Sequence, residues 1–110
     1  MKSFVAMLMA VSISAHAHVF TQPECRKAAA SVMAVAEAKG DGAPSTVVAD
    51  VMRLLAESKG EKGSFIKDAE DLELMQHAFT AVYSRDITPG NAYDEFFFPC
   101  SRTYLDKGGS

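Results

Sequence analysis

The strongest constraint on the fold of this chain is its pair of cysteines, Cys25 and Cys100, which are the only two in 110 residues. In an oxidising compartment thiols tend to pair, and two cysteines allow one intramolecular bridge, with free thiols or an intermolecular bridge as the alternatives. A Cys25–Cys100 bridge would close a loop of roughly 75 residues, so the fold must bring its two ends together. Neither cysteine belongs to a C-x-x-C motif or has a neighbouring His, so thiol catalysis and a zinc site have no support.

The first seventeen residues predict that the chain meets such a compartment. Lys2 is followed by an apolar stretch over residues 4–13 and then by Ala15-His16-Ala17. A basic start, a short apolar segment and small residues before a cleavage point are typical of a signal peptide, here with cleavage near Ala17. We therefore expect a periplasmic or secreted protein of bacterial type. The apolar stretch is too short to span a bilayer and no second one follows, so no membrane anchor is expected.

The remaining segment, residues 18–110, is long enough for one domain with one core and too short for two. The chain carries 14 acidic and 11 basic residues, for a formal net charge of −3, and no block of Lys and Arg. Nucleic acid is therefore not an expected partner, because binding to a phosphate backbone requires a basic surface. Both ends of this segment are expected to be frayed.

Four helices are predicted from their start signals and apolar spacing. Thr21 with Glu24 has the form of a capping box, Ser45 follows Pro44 as a candidate N-cap, acidic residues from Asp68 onward load the first turns of a third helix, and Thr88 precedes a proline. Apolar side chains recur at helical spacing after each start. The predicted stripes are Cys25, Ala29, Val32 and Ala36; Val48, Val51, Met52 and Leu55; Leu72, Met75, Phe79 and Val82; and Ala92, Phe96, Cys100 and Tyr104.

The connections between these segments are short, which favours an antiparallel up-down-up-down bundle. In that topology the start of the first helix and the end of the last lie at the same end of the bundle, and these are the positions of Cys25 and Cys100. The predicted fold is therefore an all-α, antiparallel four-helix bundle held by one disulfide. Phe65 and Ile66 interrupt a polar connection and are expected to fold over one end of the core, while Pro99 is expected to kink or split the last helix.

Acidic residues cluster at the start of the third predicted helix: Asp68, Glu70, Asp71 and Glu73. Negative charge is stabilising there because the helix dipole is positive, so capping and a solvated face explain the cluster. The alternative is a surface that binds a cation or a basic partner, with Asp94 and Glu95 as a second acidic site. The alternating oxygen ligands and central Gly of a calcium loop are absent.

Three consecutive phenylalanines in the last predicted helix cannot share one buried face, because successive residues advance by about 100 degrees. If Phe96 points inward beside Cys100, then Phe98 points away. Either residues 65–66 cover it, or Phe98 is left with Tyr93 and Phe97 as a surface for another protein or for a second copy of the chain.

Chemistry at histidine has little support. After cleavage His18 would be the amino-terminal residue, whose amine and imidazole could hold copper together with His77. The alternatives without metal binding are that His18 is an incidental residue at the cleavage site and that His77 forms an exposed pair with Glu73. With one His in the folded region and no matching Ser or Cys, no catalytic triad can be assembled, so we expect neither an enzyme nor a cofactor.

In size, export signal and single long-range disulfide on a helical chain, this protein resembles small periplasmic acid-stress chaperones of the HdeA type. Small helical immunity proteins that neutralise secreted toxins are similar in size and export. No shared motif accompanies either resemblance, so no functional residue is carried over. The expected function is protein binding without catalysis, in the manner of an inhibitor or immunity protein. An acid-stress chaperone and a copper protein using His18 are the alternatives.

Overall fold

The computed structural model describes residues 19–107 and contains four helices and no strand within that range. They are α1 (Gln22–Gly40), α2 (Val47–Glu57), α3 (Ala69–Tyr83) and α4 (Pro89–Asp106). The prediction of an all-α chain with four packed helices is confirmed. No helix in this part of the chain combines the length and apolarity needed to cross a membrane. The predicted signal peptide, His18 and residues 108–110 lie outside the described residues.

The helices α1 and α4 begin where their capping residues predict. At the start of α1, the Glu24 amide donates to Thr21 Oγ1 at 3.3 Å and the Thr21 amide donates to Glu24 Oε1 at 2.9 Å, which completes the capping box. At the start of α4, the Asn91 amide donates to Thr88 Oγ1 at 3.2 Å. These bonds satisfy amides that have no partner within the helix, so local sequence defines both helix starts.

The start of α2 differs from its prediction by one residue. The N-cap is Thr46 rather than Ser45, and the Thr46 side chain makes no capping hydrogen bond. Instead the amides of Val47 and Val48 donate to the carbonyls of Pro44 and Ser45, each at 3.0 Å. A tight turn, in which each amide donates to the carbonyl three residues earlier, therefore satisfies the first amides of α2. No capping hydroxyl is needed.

α1 and α4 run antiparallel, as the cysteine positions predict. The Cys25–Cys100 disulfide joins the start of α1 to the second half of α4, with the two Cα atoms 5.8 Å apart. Beside it, Gln22 Nε2 donates to Ser101 Oγ at 2.7 Å. The predicted disulfide is confirmed, and it lies where two helices already pack against each other.

Contacts at the opposite end of the bundle define the directions of α2 and α3. Lys39 Nζ, near the end of α1, donates to the carbonyl of Val82 at 3.0 Å, so α1 and α3 end at the same place. The Tyr83 hydroxyl donates to the carbonyl of Ala43, which precedes α2, at 2.9 Å. The start of α2 therefore lies at the end of α3, and the four helices alternate in direction as predicted.

The core lies on α1 and is closed at one end by the connection between α2 and α3. Phe65 and Ile66 in that connection are buried, as predicted, and Phe20 packs edge-on against Phe65 with ring centroids 5.8 Å apart. The other buried apolar residues are Cys25, Ala28, Ala29, Val32, Val35, Ala36, Met75, Phe79, Val82 and Ala92. Small side chains on α1 let its neighbours approach closely, and the half-buried stripe of α2 packs on the edge of this cluster.

α4 continues through Pro99 and does not split there, which corrects one of the two outcomes expected for this proline. Proline removes one helical hydrogen bond. One turn later, Thr103 Oγ1 donates to the Pro99 carbonyl at 3.0 Å. Because α4 persists beyond Pro99, it carries side chains on both sides of Cys100.

Candidate functional site

The most distinctive exposed feature is a group of aromatic rings on α4. Tyr93 and Phe97 stack with centroids 5.7 Å apart and ring planes 21° apart, and Phe98 meets Phe97 edge-on at 5.5 Å. Tyr93 and Phe97 are half-buried, whereas Phe98 is 58% exposed. We call these three residues the α4 aromatic face. It presents apolar area to solvent on a rigid helix.

The exposure of Phe98 follows from the geometry of α4 and from the place where residues 65–66 pack. Phe96 and Phe97 pack against the core cluster, and the next residue is rotated by about 100° toward solvent. Phe65 and Ile66 are buried in the core, and Phe98 is left 58% exposed, so they do not cover it. The alternative of cover by that connection is therefore wrong, and the Phe98 ring is exposed to solvent.

Two charges flank Phe98 on its own helical row. Asp94 lies four residues before it and Arg102 four residues after it, and both are exposed. Neither takes part in the ion pairs found between residues 19 and 107. Leu105, seven residues after Phe98, is also exposed, at 52%. Neither Arg102 nor Leu105 was among the predicted site residues, although their spacing from Phe98 was visible in the sequence.

Glu95, by contrast, is already paired. Arg85 donates to both carboxylate oxygens of Glu95, at 2.7 and 2.9 Å. The hydrogen bonds from Arg85 lower the pKa of Glu95 from its ordinary value, and Glu95 in turn raises the pKa of Arg85. Asp94 and Glu95 therefore do not act as one acidic pair, because the Glu95 charge is balanced by Arg85.

The acidic cluster of α3 divides into two parts. Asp68 is the N-cap, and its Oδ1 accepts the Asp71 amide at 3.0 Å. Asp71 is 1% exposed, and its Oδ2 accepts the amides of Lys67 at 2.7 Å and Asp68 at 3.3 Å. Asp71 therefore does not contribute to an exposed surface. Glu70 is half-buried and Glu73 is exposed, so these two carboxylates are the ones that a partner could reach.

A shallow cleft lies between α3 and α4, with a volume of about 170 Å³. Val32 of α1 contributes to its lining and the Arg85–Glu95 pair lies at its rim. The remaining lining residues are Ala78, Ala81, Val82, Ile87, Ala92 and Phe96. The small alanine side chains leave the space between α3 and α4 unfilled, and nothing in the cleft aligns a nucleophile with a base.

The histidines are not brought together in the described part of the chain. His77 is exposed on α3 and His18 lies outside the described residues. Between residues 19 and 107 there is no group of three or more His, Cys, Asp or Glu side chains that could hold a metal ion.

Comparison of the chain with protein-family models, with curated proteins and with solved structures finds no match. The candidate site is therefore chosen from the structure of the chain alone. It consists of the α4 aromatic face and the charges that flank it.

Proposed function

We propose that this chain is an exported protein that binds a protein partner, either a different protein or a second copy of itself, through the α4 aromatic face and carries out no reaction of its own. The observation that carries the proposal is the exposure of Phe98 beside the stacked rings of Tyr93 and Phe97. Fully burying an exposed phenylalanine side chain is worth about 1.5 to 3 kcal/mol. Because Phe98 is 58% exposed, a partner that covers it gains about 1 to 2 kcal/mol from this one residue.

The composition of this face supports protein as the ligand class. Aromatic residues are enriched at protein interfaces, and the side chains that dominate binding are held rigidly within a ring of less important contacts. Phe97 packs against the core and stacks on Tyr93, so its own side chain loses little freedom when a partner covers this face. A shallow cleft without aligned catalytic groups fits binding better than it fits catalysis.

Export is supported by two separate features of the chain. Residues 1–17 have the order of a signal peptide, and the Cys25–Cys100 disulfide is a bond that oxidising, extracytoplasmic compartments permit. Mass spectrometry of the protein recovered from the producing cell checks this part of the proposal. The expected mass is that of a chain beginning at His18. A recovered protein that still begins at Met1 would contradict export by cleavage.

Site-specific photo-crosslinking tests the binding face. A photoreactive phenylalanine analogue replaces Phe98 in one variant and Leu54 in a control, since Leu54 is 59% exposed and lies on α2. Both variants are irradiated in the native extracytoplasmic fraction. We expect a discrete crosslinked product from position 98 and none from position 54. Equal products from both positions, or none from either, would overturn the proposal.

The identity of the crosslinked protein decides the narrower interpretation. A toxin or a secreted enzyme in the product would make this chain an inhibitor or immunity-like protein. Many unrelated proteins, captured only after acidification, would instead favour a stress chaperone.

A further inference from the structure

The row of α4 that carries Phe98 has a charge pattern that is complementary to itself. Asp94, Phe98 and Arg102 are spaced by four residues, so they form one ridge along the helix surface. The acidic residue lies one turn before Phe98 and the basic residue one turn after it. Both are exposed, and neither contributes to an ion pair within the described range.

A ridge of this kind matches an inverted copy of itself. When two α4 helices pack antiparallel about a twofold axis at Phe98, each residue before Phe98 faces the residue equally far after it in the other copy. Asp94 then faces Arg102 of the second copy, Arg102 faces Asp94 of the second copy, and the two Phe98 rings meet between them. Two equivalent ion pairs flank one apolar contact, as a twofold interface requires.

Other orientations lose this match. Parallel packing in the same register places Asp94 against Asp94 and Arg102 against Arg102, and like charges in contact are repulsive.

We propose that the partner of the α4 aromatic face is a second copy of this chain, bound through antiparallel α4 helices that cross at Phe98. This inference rests on the proposed function of that face and names its partner. One helix from each copy buries less than the roughly 1,600 Å² of a standard interface, so the dimer is weak and depends on concentration.

Charge reversal in sedimentation experiments tests the pairing. The variants are Asp94→Arg and Arg102→Asp, and Glu73→Arg on α3 is the control because Glu73 is exposed and lies outside this ridge. Each α4 variant alone places like charges at both ion pairs, so its dimerisation should weaken about tenfold or more. In an equimolar mixture of the two, opposite charges face each other again at both pairs. The mixture should dimerise as strongly as the wild type, whereas Glu73→Arg should match the wild type by itself.

The restoration in the mixture separates a direct contact from general effects of net charge or folding, since each variant is also present alone. The dimer would be overturned if the wild type sediments as a monomer at every concentration up to about millimolar. It would also be overturned if the mixture dimerises no more strongly than either variant alone. In either of those cases a crosslink from position 98 to a different protein would leave the proposed function intact. The absence of any product at position 98 would remove both.

Discussion

Breaking the Cys25–Cys100 disulfide should lower the melting temperature of the protein by at least about ten degrees. The bond joins residues 75 positions apart, and Cys25 is fully buried. After reduction the two ends are still held together by the packing of α1 on α4 and by the Gln22–Ser101 hydrogen bond. The native contacts therefore change little, and the main effect falls on the unfolded chain, which gains conformational freedom.

The magnitude follows from the length of the closed loop. For a separation of 75 residues, the chain-entropy relation gives about 4.5 kcal/mol at 25 °C. Total stabilities of domains lie at about 5 to 15 kcal/mol, so this is a large share. One kcal/mol corresponds to about 4 to 8 degrees for a domain of this size. Even half of that free energy therefore corresponds to about ten degrees or more.

The assay is thermal unfolding followed by far-ultraviolet circular dichroism, with and without reductant. A Cys25→Ala/Cys100→Ala variant is the control, because it should melt near the reduced wild type and should not respond to reductant. If the wild type melts at the same temperature in both conditions while mass spectrometry shows the thiols reduced, the argument from loop closure is refuted.

Three further predictions concern α2, α3 and the Arg85–Glu95 pair. Asp71→Ala should lower the free energy of unfolding, measured in urea, by about 1 to 3 kcal/mol, because backbone amides at the start of α3 lose their acceptor. The control Glu73→Ala should change that free energy by less than about 0.5 kcal/mol. Equal losses of free energy in the two variants would contradict this. Glu95→Gln should melt below the wild type at neutral pH. The Arg85 hydrogen bonds lower the pKa of Glu95, so the stabilisation is complete above the unfolded pKa of Glu95 and is lost as the pH falls through its lower folded pKa. A difference in melting temperature that stays constant as the pH falls would contradict the assignment. Amides of α2 should exchange with deuterium faster than those of α1, since no α2 side chain is fully buried; equal protection would contradict this.

Helix starts were the most predictable part of the fold. Thr21, Asp68 and Thr88 cap the helices that their local sequence predicts. The start of α2 was missed by one residue because Ser45 and Thr46 are both suitable caps, and a backbone turn satisfies the first amides without either hydroxyl. Capping depends on atoms within about four residues, so sequence predicts it well wherever the side chain does the capping.

The candidate site was predictable only in part. Three adjacent phenylalanines had to include one that faces away from the core, and this much follows from helical rotation. Whether Phe98 was covered depended on where residues 65–66 would pack, and they lie in the core with Phe20. The flanking pair of Asp94 and Arg102 was not recognised, because its symmetry about Phe98 matters only once that ring is known to be exposed.

By itself the sequence determined the number of helices and their approximate limits, because these depend on near neighbours. It favoured the pairing of Cys25 with Cys100, since there are two cysteines, and the tertiary structure decided between that bridge and the alternatives. Only the tertiary structure decided that Phe98 is exposed and Asp71 is buried. Exposure depends on which distant segments pack over a side chain, and spacing along one helix does not identify those segments.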